Sequence, residues 1–206
     1  MSKTPKRSAR LRILDAANRL LLERGYHGVG LEVVAREAGV TRQTVYNTFG
    51  SKSGLLGAMV ARQEELAGLP QVMQTVVQEV DGVAMLRAML DAIVTVEPLV
   101  YPYSKLVYAA RLEDPVAAHL WQSRMASRRA GMGLVFARVA SDGLLRDGIT
   151  VEEAAEIAWA ITSPHQYEYL VIDRGWSIER YREHLEATIT PRLLSRRPGK
   201  HRPRRH

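Results

Sequence analysis

Apolar residues recur every three or four positions through almost the whole of this 206-residue chain, and alternating apolar and polar runs are hard to find. Spacings of three and four place side chains on one face of an α-helix, whereas strands need a period of two. The pattern therefore predicts an all-α fold. The first predicted helix spans residues 9–24, where Ile13, Ala17 and Leu20 share one face and Gly25 follows as a stop signal.

Capping residues and prolines divide the rest of the chain into further helices. Pro98 and Pro102 are expected to interrupt the helical pattern, and Pro164 is expected to kink the helix in which it lies, because proline removes a backbone hydrogen bond. Beyond the first quarter of the chain, helices are predicted over 82–96, from Asp114 and Pro115 onward, over 151–173 and over about 178–195.

The residue types that are missing exclude several classes of protein. The chain has no cysteine, which excludes disulfides, cysteine-bound zinc and thiol catalysis, and makes a reducing cytoplasm the expected setting. No apolar run approaches the roughly 20 residues of a membrane span. Asp15 and Arg19 interrupt the stretch after the basic start, so no signal peptide is expected. We expect a soluble cytoplasmic protein.

The net charge of +7 is distributed unevenly. Residues 1–62 carry 11 Lys and Arg against 4 Asp and Glu, residues 63–191 carry 11 against 18, and residues 192–206 carry 7 against none. A basic first part followed by an acidic body is typical of a polyanion-binding module joined to a second domain. We predict a DNA-binding domain over 1–62, a ligand-binding and dimerisation domain over 63–195, and a basic, disordered tail over 196–206.

The segment 31–49 has the spacing of a helix-turn-helix. Ala35, Gly39 and Val45 supply a small residue where two short helices touch, a glycine for the tight turn and an aliphatic residue from the second helix. Thr41 is placed to cap that second helix, and its first exposed turn carries Arg42, Gln43 and Thr44.

These exposed side chains are suited to reading DNA. Arg can pair with guanine, Gln with adenine, and the methyl group of Thr can rest against thymine in the major groove. The alternative is that Arg42, Gln43 and Thr44 are ordinary solvated residues. Lys3, Lys6, Arg7, Arg10 and Arg12 are predicted to form a basic arm toward DNA, with solvated disorder as the equal alternative.

Three runs of residues carry a resemblance to a known family: 23–26 (Glu-Arg-Gly-Tyr), 34–41 (Val-Ala-Arg-Glu-Ala-Gly-Val-Thr) and the Tyr-x-x-Phe-x-x-Lys run over 46–52. Over residues 10–58 the chain resembles the N-terminal domain of TetR-family transcriptional repressors. The resemblance implies that Tyr46 and Lys52 contact DNA phosphates. Gly30 and Asn47 stand where the family usually has a hydroxyl residue and a histidine, which puts the details of the contact set in question. With Thr41, Arg42, Gln43 and Thr44, the expected DNA-binding residues are Tyr46, Asn47 and Lys52.

The acidic body is long enough to enclose a small-molecule cavity between its helices. Methionine and aromatic side chains make adaptable apolar walls, and they favour a hydrophobic or aromatic effector, although such residues are more often plain core. Arg111, Arg128 and Glu168 are candidates to orient a charged ligand, with surface exposure as the alternative. The candidate ligand-binding residues are Met89, Tyr103, Tyr108, Trp121, Met125 and Trp159.

The last two predicted helices carry apolar stripes that would suit a subunit interface. In the family that the chain resembles, these helices pair across a twofold axis, which matches a palindromic operator. The candidate dimerisation residues are Ile157, Ile161, Tyr169, Tyr181, Leu185 and Ile189.

The sequence favours a dimeric repressor released from DNA by an effector over two alternatives. One alternative is a ligand-independent DNA-binding regulator whose body serves dimerisation or a protein partner. The other is an enzyme, but the six histidines lack metal-ligand spacing and no hydrolase or phosphate-binding motif is present. We therefore expect no catalytic residues, no metal and no cofactor.

Overall fold

The computed structural model describes residues 8–195, and within that range the chain is helical with no strand beyond a single bridge between Leu145 and Leu194. The all-α prediction is confirmed. None of the described helices is long and apolar enough to cross a membrane. The elements are α1 (Ala9–Arg24), α2 (Leu31–Glu37), α3 (Arg42–Phe49), α4 (Lys52–Leu66), α5 (Leu69–Val77), α6 (Gly82–Ala110), α7 (Pro115–Ser141), α8 (Val151–Ile161), α9 (Pro164–Tyr167), a π-helical segment (Glu168–Asp173) and α10 (Ile178–Leu193).

The described residues divide into two compact units. The first unit contains the chain up to Leu69 together with Pro98–Met125, and the second contains Pro70–Glu97 together with the chain from Ala126 onward. The second half of α6 and the first half of α7 therefore belong to the first unit. The predicted domain boundary at residue 62 remains a prediction.

The core of the first unit is built from the apolar faces that the sequence predicted. Ile13, Ala17 and Leu20 of α1 are buried in one cluster with Val45 of α3 and Leu55 of α4. This cluster also includes buried residues from the second half of α6 and the start of α7: Tyr103, Leu106, Val107, Ala110 and Ala117. Because these long helices complete the core, the helix-turn-helix does not pack alone.

Pro98 and Pro102 do not end a helix, contrary to the expectation from the sequence. Helix α6 continues through both of them, from Gly82 to Ala110. Each proline lacks the amide that would bond the carbonyl four residues earlier, a loss of about 3 kcal/mol in a helix interior. The flanking residues Val94, Val100 and Tyr101 are buried, and burial of such side chains offsets that loss.

Pro164 starts a helix and does not kink one. Helix α8 ends at Ile161, and Ser163 caps the short helix α9, in which Pro164 is the first residue. Proline is favoured at that position because the missing amide proton would have no partner there. The predicted continuous helix over 151–173 is therefore three elements, the last of them the π-helical segment.

In the second unit, the first half of α6 packs closely against the second half of α7. A Cβ atom added to Gly82 would lie 2.6 Å from backbone atoms of Val139, and one added to Gly131 would lie 3.5 Å from the methyl carbon of Met89. Since backbone cannot yield as a flexible side chain does, a residue without Cβ is required at position 82 for this approach.

Two sequence predictions fall outside the described residues. These are the basic tail over 196–206 and the residues Lys3, Lys6 and Arg7 of the predicted arm. Arg10 and Arg12, the other two residues of that arm, belong to helix α1.

Candidate nucleic-acid interface

Helix α3 is fixed to the first unit by one side and exposes the other. Val45 is completely buried, whereas Arg42, Gln43, Tyr46 and Asn47 are exposed. The Thr41 hydroxyl caps the helix by accepting a hydrogen bond from the Thr44 amide at 3.1 Å. This cap and the buried valine orient the predicted reading face outward.

The first two turns of α3 present a preorganised row of polar groups. Gln43 Nε2 donates to Asn47 Oδ1 at 2.7 Å, and the hydroxyls of Thr41 and Thr44 lie 2.8 Å apart. Gln43 keeps its carbonyl oxygen and a second amide proton for a partner, which is the pair of groups that an adenine edge requires. Thr44 is half-buried, so of the predicted row it is the least accessible.

The arginines of this region fall into two groups. Arg12 donates to the carbonyl of Ala38 at 3.1 Å, and Arg19 forms an ion pair with Glu37. Arg36 and Arg42 are exposed and have no hydrogen-bond or ionic partner among the described residues. Their charges are available to a polyanion, and Arg36 is a candidate that sequence reasoning did not single out.

Lys52, at the start of α4, is half-buried against an aromatic ring. Its Nζ lies 4.1 Å from the centroid of the Tyr26 ring, within cation–π distance. Burial lowers the pKa of Lys52, and the nearby Glu32 carboxylate opposes that shift. A cation held in this way on the surface of the helix-turn-helix can pair with a phosphate.

Tyr26 is itself anchored by its hydroxyl, which donates to Asp114 Oδ2 at 3.2 Å. Burial, followed by the Asp114 charge, raises the pKa of Tyr26 to about 12, so the hydroxyl stays protonated and donates near neutral pH. Sequence reasoning found Asp114 only as a helix start. A separation of 88 residues leaves no local signal for this contact.

The predicted ligand-binding residues are distributed over both units. Tyr103, Tyr108, Trp121 and Met125 belong to the first unit, and Met89 and Trp159 to the second. The Tyr103 hydroxyl lies 2.5 Å from Asn18 Oδ1 and 3.2 Å from Gln63 Oε1, so it already has protein acceptors. Tyr108 and Trp121 pack edge to face with centroids 4.9 Å apart. Met89 is buried, while Met125 and Trp159 are half-buried.

The second unit contains a buried polar cluster around Glu97. The Glu97 carboxylate is almost fully buried and accepts a hydrogen bond from Arg128 Nη1 at 2.9 Å. Arg128 Nη2 also donates to the carbonyl of Thr162 at 2.6 Å. Tyr181 lies nearby, and burial followed by the Glu97 charge raises its pKa strongly. Arg128, for which the sequence leaves surface exposure as the alternative, is therefore half-buried and paired with Glu97.

Two polar atoms of the second unit are buried without a hydrogen-bond partner among the described residues: the hydroxyl oxygen of Tyr181 and the indole nitrogen of Trp159. Buried polar groups are nearly always paired, so each of these atoms needs a partner such as water or a ligand. Such atoms are suited to holding a polar group of a small molecule.

Among the clefts formed by described residues of the second unit, two contain none of the predicted ligand-binding residues. The larger has a volume of about 1150 Å³ and is lined in part by Asp81, Arg87 and Asp147. The smaller, of about 480 Å³, is lined in part by Arg192 and Ile157. Their walls mix charged and apolar residues, whereas the sequence predicted a mainly methionine and aromatic wall for an effector site.

The predicted dimerisation residues differ in accessibility. Tyr181, Leu185 and Ile189 are completely buried within the protomer, so they fill its own core and cannot form an exposed stripe. Ile157 and Ile161 are half-buried, and Tyr169 is 59% exposed. Ile172, in the same π-helical segment as Tyr169, is also exposed. Of the last two predicted helices, the exposed large apolar side chains thus lie on the π-helical segment and not on α10.

The described residues contain no group of three side chains suited to hold a metal ion. Comparison with known proteins gives a match for the first unit: residues 13–59 match the family model described as bacterial regulatory proteins of the tetR family. Over 43 residues, or 21% of the chain, the sequence is 54% identical to the HTH-type transcriptional regulator AlkX of Mycobacterium tuberculosis. The chain spans 20% of the length of that relative. The proteins matched are transcriptional regulators and not enzymes.

Solved structures resemble the chain over almost its whole length. A transcriptional regulator from Saccharomonospora viridis, in complex with choline, has a TM-score of 0.73 at 23% identity, covering 91% of this chain and 98% of its own. AibR, in complex with isovaleryl coenzyme A and operator DNA, has a TM-score of 0.66 at 19% identity, covering 89% and 99%. At these identities the likeness is one of fold.

Proposed function

Because the chain carries the N-terminal domain of the tetR family of bacterial regulatory proteins, we propose that it is a dimeric DNA-binding transcriptional repressor. The observation that carries the proposal is helix α3, which is anchored by the buried Val45 and exposes Arg42, Gln43, Tyr46 and Asn47. The two copies bind a palindromic operator, and a small hydrophobic or aromatic effector releases them. Since the bacterial chromosome lies in the cytoplasm, that is where we place the protein.

The exposed side chains divide the work of binding. Arg42 and Gln43, with Thr41 and Thr44, read base edges in the major groove, where Arg selects guanine and Gln selects adenine. Tyr46, Asn47 and Lys52 bind phosphates and set the register of α3 on the duplex. The charged contacts supply salt-dependent affinity, and the base contacts supply specificity.

Dimerisation makes DNA recognition selective, because the α3 helices of two copies must fit two half-sites at once. The exposed Tyr169 and Ile172 support an interface at the π-helical segment. The half-buried Ile157 and Ile161 of α8 are further candidates for this interface. Helix α10 stabilises that surface from within, through its buried Tyr181, Leu185 and Ile189.

The effector part of the proposal is supported by the unpaired Tyr181 hydroxyl and Trp159 indole nitrogen. We expect either atom to hold the polar group of a mostly apolar molecule. Two solved structures with a similar fold contain choline and isovaleryl coenzyme A, and this supports control of the present chain by a small molecule. The DNA is released if the effector binds more tightly to a conformation in which the two α3 helices no longer match the operator.

A ligand-independent regulator is the second candidate, and one observation favours it. The Tyr103 hydroxyl, expected to line an effector site, already lies within hydrogen-bonding distance of Asn18 and Gln63. In this reading the helical body serves dimerisation or a protein partner only.

The test is binding of a fluorescent random-sequence duplex at several salt concentrations, followed by addition of hydrophobic and aromatic compounds. The proposal expects steeply salt-dependent affinity that Arg42→Ala weakens, and at least one compound class that releases the DNA. Binding that no compound affects would favour the ligand-independent candidate. Absence of binding at low salt would contradict both.

A further inference from the structure

Tyr26 and Asp114 are not among the predicted DNA-binding residues, but they form a chain of contacts that ends at one of them, Lys52. Resting on the proposed function, we propose that Tyr26 and Asp114 are positioning residues for the phosphate contact of Lys52. The Tyr26 ring carries the Lys52 ammonium, and Asp114 fixes the ring by accepting a hydrogen bond from its hydroxyl.

The contact between Lys52 and Tyr26 restricts a flexible side chain. Lysine has four rotatable bonds, and an exposed lysine must be ordered when it binds a phosphate. Here the ammonium already lies 4.1 Å from the ring centroid, and the ring itself is buried. Glu32 adds a second attraction from α2. The ordering cost is thus met before the DNA arrives, and Lys52 binds a phosphate as a fixed charge.

Asp114 connects this contact to the start of helix α7. Its Oδ1 accepts hydrogen bonds from the amides of Val116 and Ala117 at 2.9 and 3.3 Å, so the carboxylate is the cap of that helix. Its Oδ2 accepts from Tyr26, and the buried Ser53, next to Lys52, also bonds to the carboxylate. These hydrogen bonds together lower the pKa of Asp114 against the effect of its burial.

The consequence is that a DNA contact at residue 52 depends on a residue outside the segment 13–59 that matches the family model. A displacement of the first turn of α7 moves the acceptor of the Tyr26 hydroxyl and loosens the ring beneath Lys52. The first unit therefore contains a physical link from the start of α7 to the start of α4.

The test measures duplex affinity against salt for Tyr26→Leu and Asp114→Asn, alone and with Lys52→Met. One phosphate contact is worth about eightfold in affinity between 1 M and 0.1 M salt, from a slope of about 0.9 per contact. We expect Tyr26→Leu to lose most of this eightfold gain in duplex affinity. The variant should also lower the dependence of log affinity on log salt concentration, as Lys52→Met does. In the Lys52→Met background, Tyr26→Leu should have no further effect. Asp114→Asn, which keeps the helix cap, should show a smaller loss in the same direction.

Tyr101 provides the matched control, because it is as buried as Tyr26 and lies in the same unit. Tyr101→Leu should leave the salt slope unchanged. An equal loss of affinity from Tyr26→Leu in both backgrounds, or an equal change of slope with Tyr101→Leu, would overturn the proposal. If Tyr26→Leu does not fold, Tyr26→Phe, which keeps the ring and loses its anchor, should give an intermediate slope, and a wild-type slope would overturn the role of Asp114.

A second measurement needs no DNA. In NMR spectra the ε-methylene protons of Lys52 should be shifted upfield by the Tyr26 ring, and the shift should vanish in Tyr26→Leu and shrink in Asp114→Asn. Unshifted protons in the wild type would overturn the proposal. If these shifts are present while the protein binds no duplex, the proposed function fails and the positioning contact stands.

Discussion

Gln43 and Asn47 show how two side chains one helical turn apart fix each other's orientation. The hydrogen bond from Gln43 Nε2 to Asn47 Oδ1 fixes the plane of the Gln43 amide on the exposed side of α3. A fixed amide pays less conformational entropy when it meets a base than a freely rotating one does. The sequence predicted both residues as DNA-binding, but their mutual contact depends on rotamers that no pattern encodes.

Gln43→Ala is therefore expected to relax base preference at one position of each half-site. Discrimination by a bidentate contact is worth about 1–3 kcal/mol, so the variant should lose that margin while its salt slope stays unchanged. Competition between single-base variants of a bound site measures it. The matched variant Tyr46→Phe removes a phosphate contact and should weaken all sequences alike. If Gln43→Ala keeps the wild-type preference, its base-reading role is wrong.

Tyr26 gives a prediction for alkaline pH. Its folded-state pKa of about 12 lies above the ordinary value of 10.0, so folding favours the protonated form. The stability that this contributes is complete below pH 10 and is lost as the pH rises toward 12. Urea midpoints should fall over that range, and less steeply for Tyr26→Phe than for the wild type. At neutral pH the variant should lose about 1 kcal/mol with its hydrogen bond. Identical slopes for the two proteins would contradict the assignment.

The sequence predicted the helix boundaries that depend on a few neighbouring residues. The start of α3 follows from Thr41 and the start of α8 from Thr150 with Glu153, because caps act within one turn. The course of α6 through Pro98 and Pro102 could not be read in this way, since burial of its flanking residues overrides a local penalty. The break between α8 and α9 has a local signal in Ser163 and Pro164, although Pro164 alone predicts a kink.

Substitution by alanine is expected to change stability in opposite directions at Gly82, which lies where α6 approaches α7, and at Gly133, which has open space around it. Gly82→Ala places a Cβ atom 2.6 Å from the backbone of Val139, so the two helices must separate and the protein should lose about 1–3 kcal/mol. Gly133, inside α7, has nothing within 4 Å of such an atom. Gly133→Ala should therefore stabilise by about 0.5–1 kcal/mol through helix propensity. Thermal or urea unfolding of both variants checks the pair, and a destabilising Gly133→Ala would count against the described packing.

In the molecule as a whole, the sequence predicted which side of α3 is exposed better than it predicted any other surface. Residues 31–49 form a compact motif, so spacing alone places Val45 inside and Arg42 outside. The ligand-binding candidates were chosen by residue type, and type cannot tell a tyrosine that bonds Asn18 from one that lines a cavity. In the same way, the apolar stripe of α10 looked like an interface because periodicity does not say which partner buries it.

The exposed pair Tyr169 and Ile172 carries a prediction about assembly. Tyr169→Glu with Ile172→Glu should convert the proposed dimer to a monomer, since two charges would be buried at an apolar contact. Operator affinity should then fall on the order of a hundredfold or more, because the second head no longer binds from the same particle. Sedimentation and operator titration measure the two effects. Leu112→Glu, at an even more exposed apolar residue of the first unit, is the control. A double variant that remains a dimer would place the interface elsewhere.

Sequence-specific binding by two copies of the exposed α3 face can be measured by selecting bound duplexes from a random pool with the purified wild-type protein. We expect enrichment of an inverted repeat whose half-site centres lie about 10 base pairs, or a multiple of that, apart. A pool that stays random after repeated selection would show that α3 does not read a specific sequence.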